Sequence, residues 1–300
     1  MRLGGHCFRH ETVEELRAAL PKLDGYGLSA ITAPGRLVEM TYDEAAAFGE
    51  EARALGLVVG EAGWWGNLMR EDPEARADRI ELVRRMLRKA DAMGCRCVVT
   101  LVGTRDPSNH GLAPHPYMFT DAAKKEFREI VLRILEGLDL RTTRYVIEPW
   151  CNTFFYQPED IRAFIDSVGH PSFGLHLDQM NMVSHRDFYR TTELINRTFD
   201  LLADRVASVH LKDIRWDYKH MFVKWDEVLI GDGVLDYDTY LRRLAELPPD
   251  TPCFCEHLKH EAEFAENFRR LHERAGRLGL RFLRRQDHAT AAGATGSMAK

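Results

Sequence analysis

Short, almost wholly apolar runs alternate along this chain with longer segments whose apolar residues return every three or four positions. The first kind suits strands buried on both faces, and the second suits helices packed along one side. In order, the pattern predicts strands at 2–8, 28–32, 57–62, 95–102, 144–148, 173–178, 206–212 and 251–256. Helices are predicted at 12–20, 41–55, 72–93, 121–138, 158–168, 192–203, 237–247 and 261–278. Several ends carry their own signals. Thr12 with Glu15, and Thr41 with Glu44, have capping-box spacing. Pro73 in its first turn and Gly94 just past its end bracket the longest helix. Eight strands alternating with eight helices argue a parallel sheet closed into a (β/α)8 TIM barrel, an α/β fold of about 250 residues. A doubly wound open sheet is the alternative, but no Gly-x-Gly-x-x-Gly follows any strand. Two stretches resist regular structure: 103–120, with Asn109, His110, His115 and three prolines, and the long loop holding Trp216, His220 and Trp225. Loops of this length are often functional.

In such barrels the working residues come from the C-terminal ends of the strands. The last four predicted strands each end on a possible ligand. They are Arg144-Tyr-Val-Ile-Glu148, Phe173-Gly-Leu-His-Leu-Asp178, Val206-Ala-Ser-Val-His210 and Thr251-Pro-Cys-Phe-Cys-Glu256. Taken singly, each is as well explained as a loop charge or a buried ion-pair partner. Four in phase point to a site. Three carboxylates and one imidazole suit a divalent cation, Mn²⁺ first, with Mg²⁺, Co²⁺ or Zn²⁺ as alternatives.

Strand periodicity adds neighbours two residues away on the same face: Trp150 beside Glu148, His176 beside Asp178, and Lys212 beside His210. An inward Lys212 would neutralise an enolate oxygen, whereas the bland alternative pairs it with Asp213. His176, deeper in its strand, reads equally as a core histidine. Trp64, Trp65, Trp150 and Trp216 stand near strand ends, where they would stack on a sugar or aryl ring or simply pack the barrel top. His6, His110 and His115 are candidate acid/base or substrate-contacting groups.

Composition narrows the partners. A net charge of -5 and a pI near 6.2 give no electrostatic reason to expect nucleic acid or an anionic membrane. No stretch approaches the ~20 apolar residues of a membrane span. Residues 1–6 lack the apolar core of a signal peptide, so a cytoplasmic protein is expected. Cysteines 7, 95, 97, 151, 253 and 255 lack paired C-x-x-C zinc spacing and read as small buried hydrophobes. The expected organisation is one barrel over 1–283, then a disordered tail over 284–300, rich in Ala, Gly and Thr.

The motifs Val-Ile-Glu148-Pro, His-Leu-Asp178, Val-His210-Leu-Lys212-Asp213, Gly231-Asp-Gly-Val-Leu-Asp236 and Cys-Glu256-His resemble the xylose isomerase-like barrel superfamily. That superfamily includes sugar isomerases and epimerases, inosose dehydratase and an apurinic endonuclease. The resemblance implies Glu148, Asp178, His210 and Glu256 as metal ligands, with Glu148 or Glu256 doubling as the proton-transfer base. Tagatose 3-epimerase-like members usually carry a second Glu six residues after the first ligand, a His three after the Asp and an Arg six after the His. Those positions hold Phe154, Asn181 and Trp216 here, the last two kept as candidate substrate contacts. The run His176-Leu-Asp-Gln-Met-Asn-Met182 and the Trp-rich stretch near 64 look like catalytic subunits of bacterial C-glycoside deglycosidases. That similarity implies a metal-dependent lyase acting on 3-keto glycosides, with a small β-sandwich partner subunit; a homo-oligomer is the alternative assembly. The expected activity is therefore α-proton abstraction from a keto-sugar followed by elimination. A sugar isomerase or epimerase is the alternative, and a non-catalytic sugar- or partner-binding barrel is the alternative of another class.

Overall fold

The computed structural model describes residues 1–8 and 10–287. Eight parallel strands form the barrel: β1 (Arg2–Gly5), β2 (Ala30–Thr32), β3 (Val58–Trp64), β4 (Cys97–Thr100), β5 (Arg144–Ile147), β6 (Phe173–Asp178), β7 (Val206–Leu211) and β10 (Pro252–Cys255). They pair in the order β1-β10-β7-β6-β5-β4-β3-β2. The ring closes where the Ser29 N–H donates to the Leu3 carbonyl at 2.9 Å, joining β1 to the approach of β2. The predicted (β/α)8 fold is the observed one. Among the described residues, these helices surround it: α1 (Val13–Tyr26), α2 (Tyr42–Ala54), α3 (Pro73–Met93), α4 (Asp121–Leu135), α5 (Pro158–Val168), α6 (Thr191–Leu202), α7 (Tyr237–Leu244) and α8 (Glu261–Arg277).

Local chemistry explains the helix ends. Thr41 and Glu44 make both bonds of a capping box at α2. At α1 only half of that device forms, because the Glu15 carboxylate takes the Glu11 N–H instead. Helix α1 also continues past Leu20, with Pro21 inside it, to Gly27 in the left-handed region. The barrel floor is filled by Phe254. A Cβ on Gly4 or Gly60 would lie 2.5 or 2.6 Å from its ring, so these two strands can close only around glycine.

Two expectations change. The long loop after β7 contains an antiparallel hairpin, β8 (Asp213–Trp216) with β9 (Trp225–Val228), in which Trp216 faces Trp225. Residues 284–287, expected in the tail, are bound to the barrel floor. The buried Arg2 guanidinium donates to the Arg284 carbonyl, and Arg285 pairs with Asp24 at 2.6 Å. The rest of the expected tail lies outside the described residues. Among the described residues no helix is long and apolar enough to cross a membrane.

Candidate metal centre

The backbone places the four candidate ligands in one ring at the C-terminal mouth. Glu148 follows β5, its N–H held by the Thr100 carbonyl at 3.0 Å. Asp178 ends β6, His210 lies near the end of β7 and Glu256 follows β10. All four are buried, and one ligand atom from each lies within 4.8 Å of the others. His210 Nδ1 is 2.8 Å from Glu256 Oε1, 3.4 Å from Glu148 Oε1 and 3.8 Å from Asp178 Oδ2. His210 Nδ1, Asp178 Oδ2 and Glu256 Oε1 make no well-directed hydrogen bond among the described residues. Carboxylate and imidazole atoms converging in this way from four strands fit a cation ligand set.

Lys212 Nζ enters the same cluster, 2.5 Å from Asp178 Oδ2 and 2.6 Å from Glu256 Oε1. Its bland alternative fails. Asp213 instead accepts the N–H groups of Ile214, Gly231, Gly233 and Leu235, which accounts for the Gly231-Asp-Gly233 turn as a cradle for that carboxylate. A Cβ on Gly233 would stand 2.1 Å from Asp213 Oδ1. Asn181 donates to Glu148 Oε1 at 2.9 Å, and its backbone N–H to Asp178 Oδ1 at 3.1 Å, so it orients two of the candidate ligands.

The carboxyls respond unequally to this environment. Burial pushes Glu148 up to about 7, against the pull of His210 and Lys212. Burial also opposes the charge on Asp178, but the Lys212 ammonium beside it prevails and holds it near about 2. Glu256 is held well below the usual carboxylate range because His210 and Lys212 outweigh its burial. His210 lies well above its usual value, since Glu256 and Glu61 outweigh desolvation. The cation-free cluster therefore holds protons that a divalent ion must displace. The affinity of a bound ion should weaken by about tenfold per pH unit, for each displaced proton, as pH falls through the raised values of His210 and Glu148. Titration calorimetry in buffers of different ionisation enthalpy reads that proton release directly, and a pH-independent affinity would contradict it.

The other expected site residues divide. His6 joins the cluster, its ring 4.9 Å from that of His210 and its Nδ1 3.4 Å from Glu256 Oε2. Trp65 lies 6.2 Å from the His210 ring and is 43% exposed, an open aromatic wall beside the ligands. His176 is a core histidine beneath His210. Burial, and then the neighbouring His210, push it down to about 3. Trp64 packs partly into the core. Trp150 begins a turn, its indole N–H buried without a partner among the described residues. Trp216 packs with His185, Phe188 and Trp225. His110 and His115 serve their own loop, each accepting a backbone N–H two residues on. Phe154 lies in the core against Phe127 and Phe164.

Sequence reasoning missed Glu61. It stands within β3 rather than at a strand end, fully buried, with His6 Nε2 at 2.7 Å and His210 Nε2 at 3.1 Å from its Oε1. Its signal was a lone carboxylate in the apolar run Val58-Val-Gly-Glu-Ala62.

Residues 20–286 match the family described as the xylose isomerase-like TIM barrel, and the chain belongs to that family. A stretch of 124 residues is 27% identical to the 3-oxo-isoapionate decarboxylase of Pectobacterium atrosepticum, covering 40% of this chain and 43% of that one. The chain thus spans less than half the length of this curated relative. Among solved structures, L-ribulose 3-epimerase superposes with a TM-score of 0.66 at 15% identity, over 100% of this chain and 99% of that one. A xylose isomerase-like TIM barrel protein from Mycobacterium smegmatis, in complex with magnesium, gives 0.63 at 19% identity over 89% and 91%. At these identities the likeness is one of fold.

Proposed function

We propose that this chain is a divalent-metal-dependent lyase that removes the proton α to the carbonyl of a keto-sugar and expels a β-substituent, as from a 3-keto glycoside or an inosose. The observation that carries the reading is the convergence of Glu148, Asp178, His210 and Glu256 at the barrel mouth. A bound divalent ion, Mn²⁺ or a similar cation, supplies polarisation of the substrate carbonyl and so acidifies the adjacent C–H. Glu148 and Glu256 approach His210 from two strands and are the carboxylates placed to take that proton. Lys212 brings a buried positive charge to the same point, where negative charge develops on the carbonyl oxygen. Trp65 offers a face for a ring-shaped substrate.

Elimination is favoured over epimerisation by three positions. Phe154 faces the core, the Asn181 amide is engaged with Glu148, and the Trp216 ring is packed among aromatics. None supplies the polar grip on a free ketose that epimerases of this superfamily carry there. The decarboxylase match favours a second reading, loss of CO₂ from a 3-oxo sugar acid, which passes through the same kind of enolate. Incubation of metal-loaded protein in D₂O separates these outcomes. Release of the β-substituent from a 3-keto glycoside or an inosose supports the lyase, and release of CO₂ from a 3-oxo sugar acid supports the second reading. Rapid 3-epimerisation of ketohexoses with deuterium uptake overturns both.

A further inference from the structure

We infer that Glu61 is a positioning residue that fixes the ring and tautomer of His210, and so presents one nitrogen to the ion; the inference rests on the metal site proposed above. Glu61 is 2% exposed, on a strand where the residues on either side are Val59, Gly60 and Ala62. A carboxylate in such a place survives only with partners. Its partners are imidazoles. Oε1 lies 2.7 Å from His6 Nε2 and 3.1 Å from His210 Nε2, and Oε2 lies 3.5 Å from His176 Nδ1.

The two edges of the His210 ring have opposite surroundings. Among the described residues Nε2 meets Glu61, while Nδ1 meets Glu256, Glu148 and Asp178. Once an ion has displaced the second proton, the ring is a neutral imidazole with one proton. An ionised carboxylate can only accept, so Glu61 draws that proton to Nε2 and leaves the lone pair on Nδ1, aimed among three carboxylates. That is the state a ligating histidine requires, and outer carboxylates commonly impose it. Nδ1 faces the ligand cluster, 2.8 Å from Glu256 Oε1, where an ion would take the place of any proton that the nitrogen carries. His176 braces the arrangement from below. Its ring meets that of His210 edge-on at 3.9 Å, and its Nδ1 is held by Ser208 Oγ at 2.5 Å.

The test uses Zn²⁺, which is diamagnetic, with histidine-labelled full-length protein. Wild type should take up the ion and show a protonated, hydrogen-bonded Nε2 for His210 in ¹⁵N spectra. Glu61→Leu should weaken Zn²⁺ affinity by about 10–100-fold and abolish that hydrogen-bonded signal. Glu61→Gln keeps an acceptor oxygen, so it should retain the Nε2–H signal, shifted toward a weaker bond, with an affinity loss of about tenfold at most. If Glu61→Leu does not fold, an unshifted signal and unchanged affinity in Glu61→Gln overturn the inference. Unchanged affinity and spectrum in folded Glu61→Leu do the same while leaving the metal site standing. Absence of Zn²⁺ uptake by wild type overturns both.

Discussion

Changing His210 to Ala, or Glu148 to Gln, should each strip the protein of its divalent ion and its activity. Each is one of four proposed ligands, and its partners cannot move to replace it because they are fixed at the ends of paired strands. Loss of a direct ligand should exceed the ~100-fold in affinity that outer-shell changes produce. Glu148→Gln additionally removes a proton acceptor, for which a further loss of about 10²–10⁴ in rate is expected. Elemental analysis after dialysis, with a circular dichroism control for folding, checks the first effect. Full metal content in both variants would remove the assignment.

Much of this site was legible because its residues obey strand grammar. Glu148, Asp178, His210 and Glu256 each close an apolar run, and a barrel turns that regularity into spatial convergence. Lys212 was legible for the same reason, two residues past His210 on one face. Glu61 was harder to read, because it sits inside its strand; a lone carboxylate in an apolar run signals burial but does not name its histidine partners. The β8–β9 hairpin was missed because its two strands have four residues each and alternate only weakly. Their stability comes from packing, with Trp225 stacked at 5.1 Å on Phe188 of a distant loop. The Gly231-Asp-Gly233 motif is structural, since the amides of both glycines bind Asp213. Phe154, six residues past Glu148, turns its side chain into the core rather than the mouth.

Removal of the Lys212 ammonium should have a double signature that no surface lysine would give. Lys212 is buried, and its Nζ touches Asp178 and Glu256 while standing 3.9 Å from Glu148. Four buried carboxylates, Glu61 included, surround this lysine and His210, so negative charge is in excess before an ion binds. Lys212→Met preserves much of the stem's volume and deletes the charge. Without metal, the variant should be less stable by about 3–5 kcal/mol, the usual result of leaving buried charges without their partner. An added divalent ion supplies positive charge at the same carboxylates, so most of that loss should be recovered by Mn²⁺. Activity should not recover with it. If Lys212 stabilises charge on the substrate oxygen, the metal-loaded variant should remain about 10²–10³-fold slower. Denaturant unfolding in EDTA and in Mn²⁺, beside kcat at saturating metal, reads the two effects separately. Equal stability of variant and wild type in EDTA would sink the ion-pair geometry, whereas a normal kcat in Mn²⁺ would confine Lys212 to holding the empty site together.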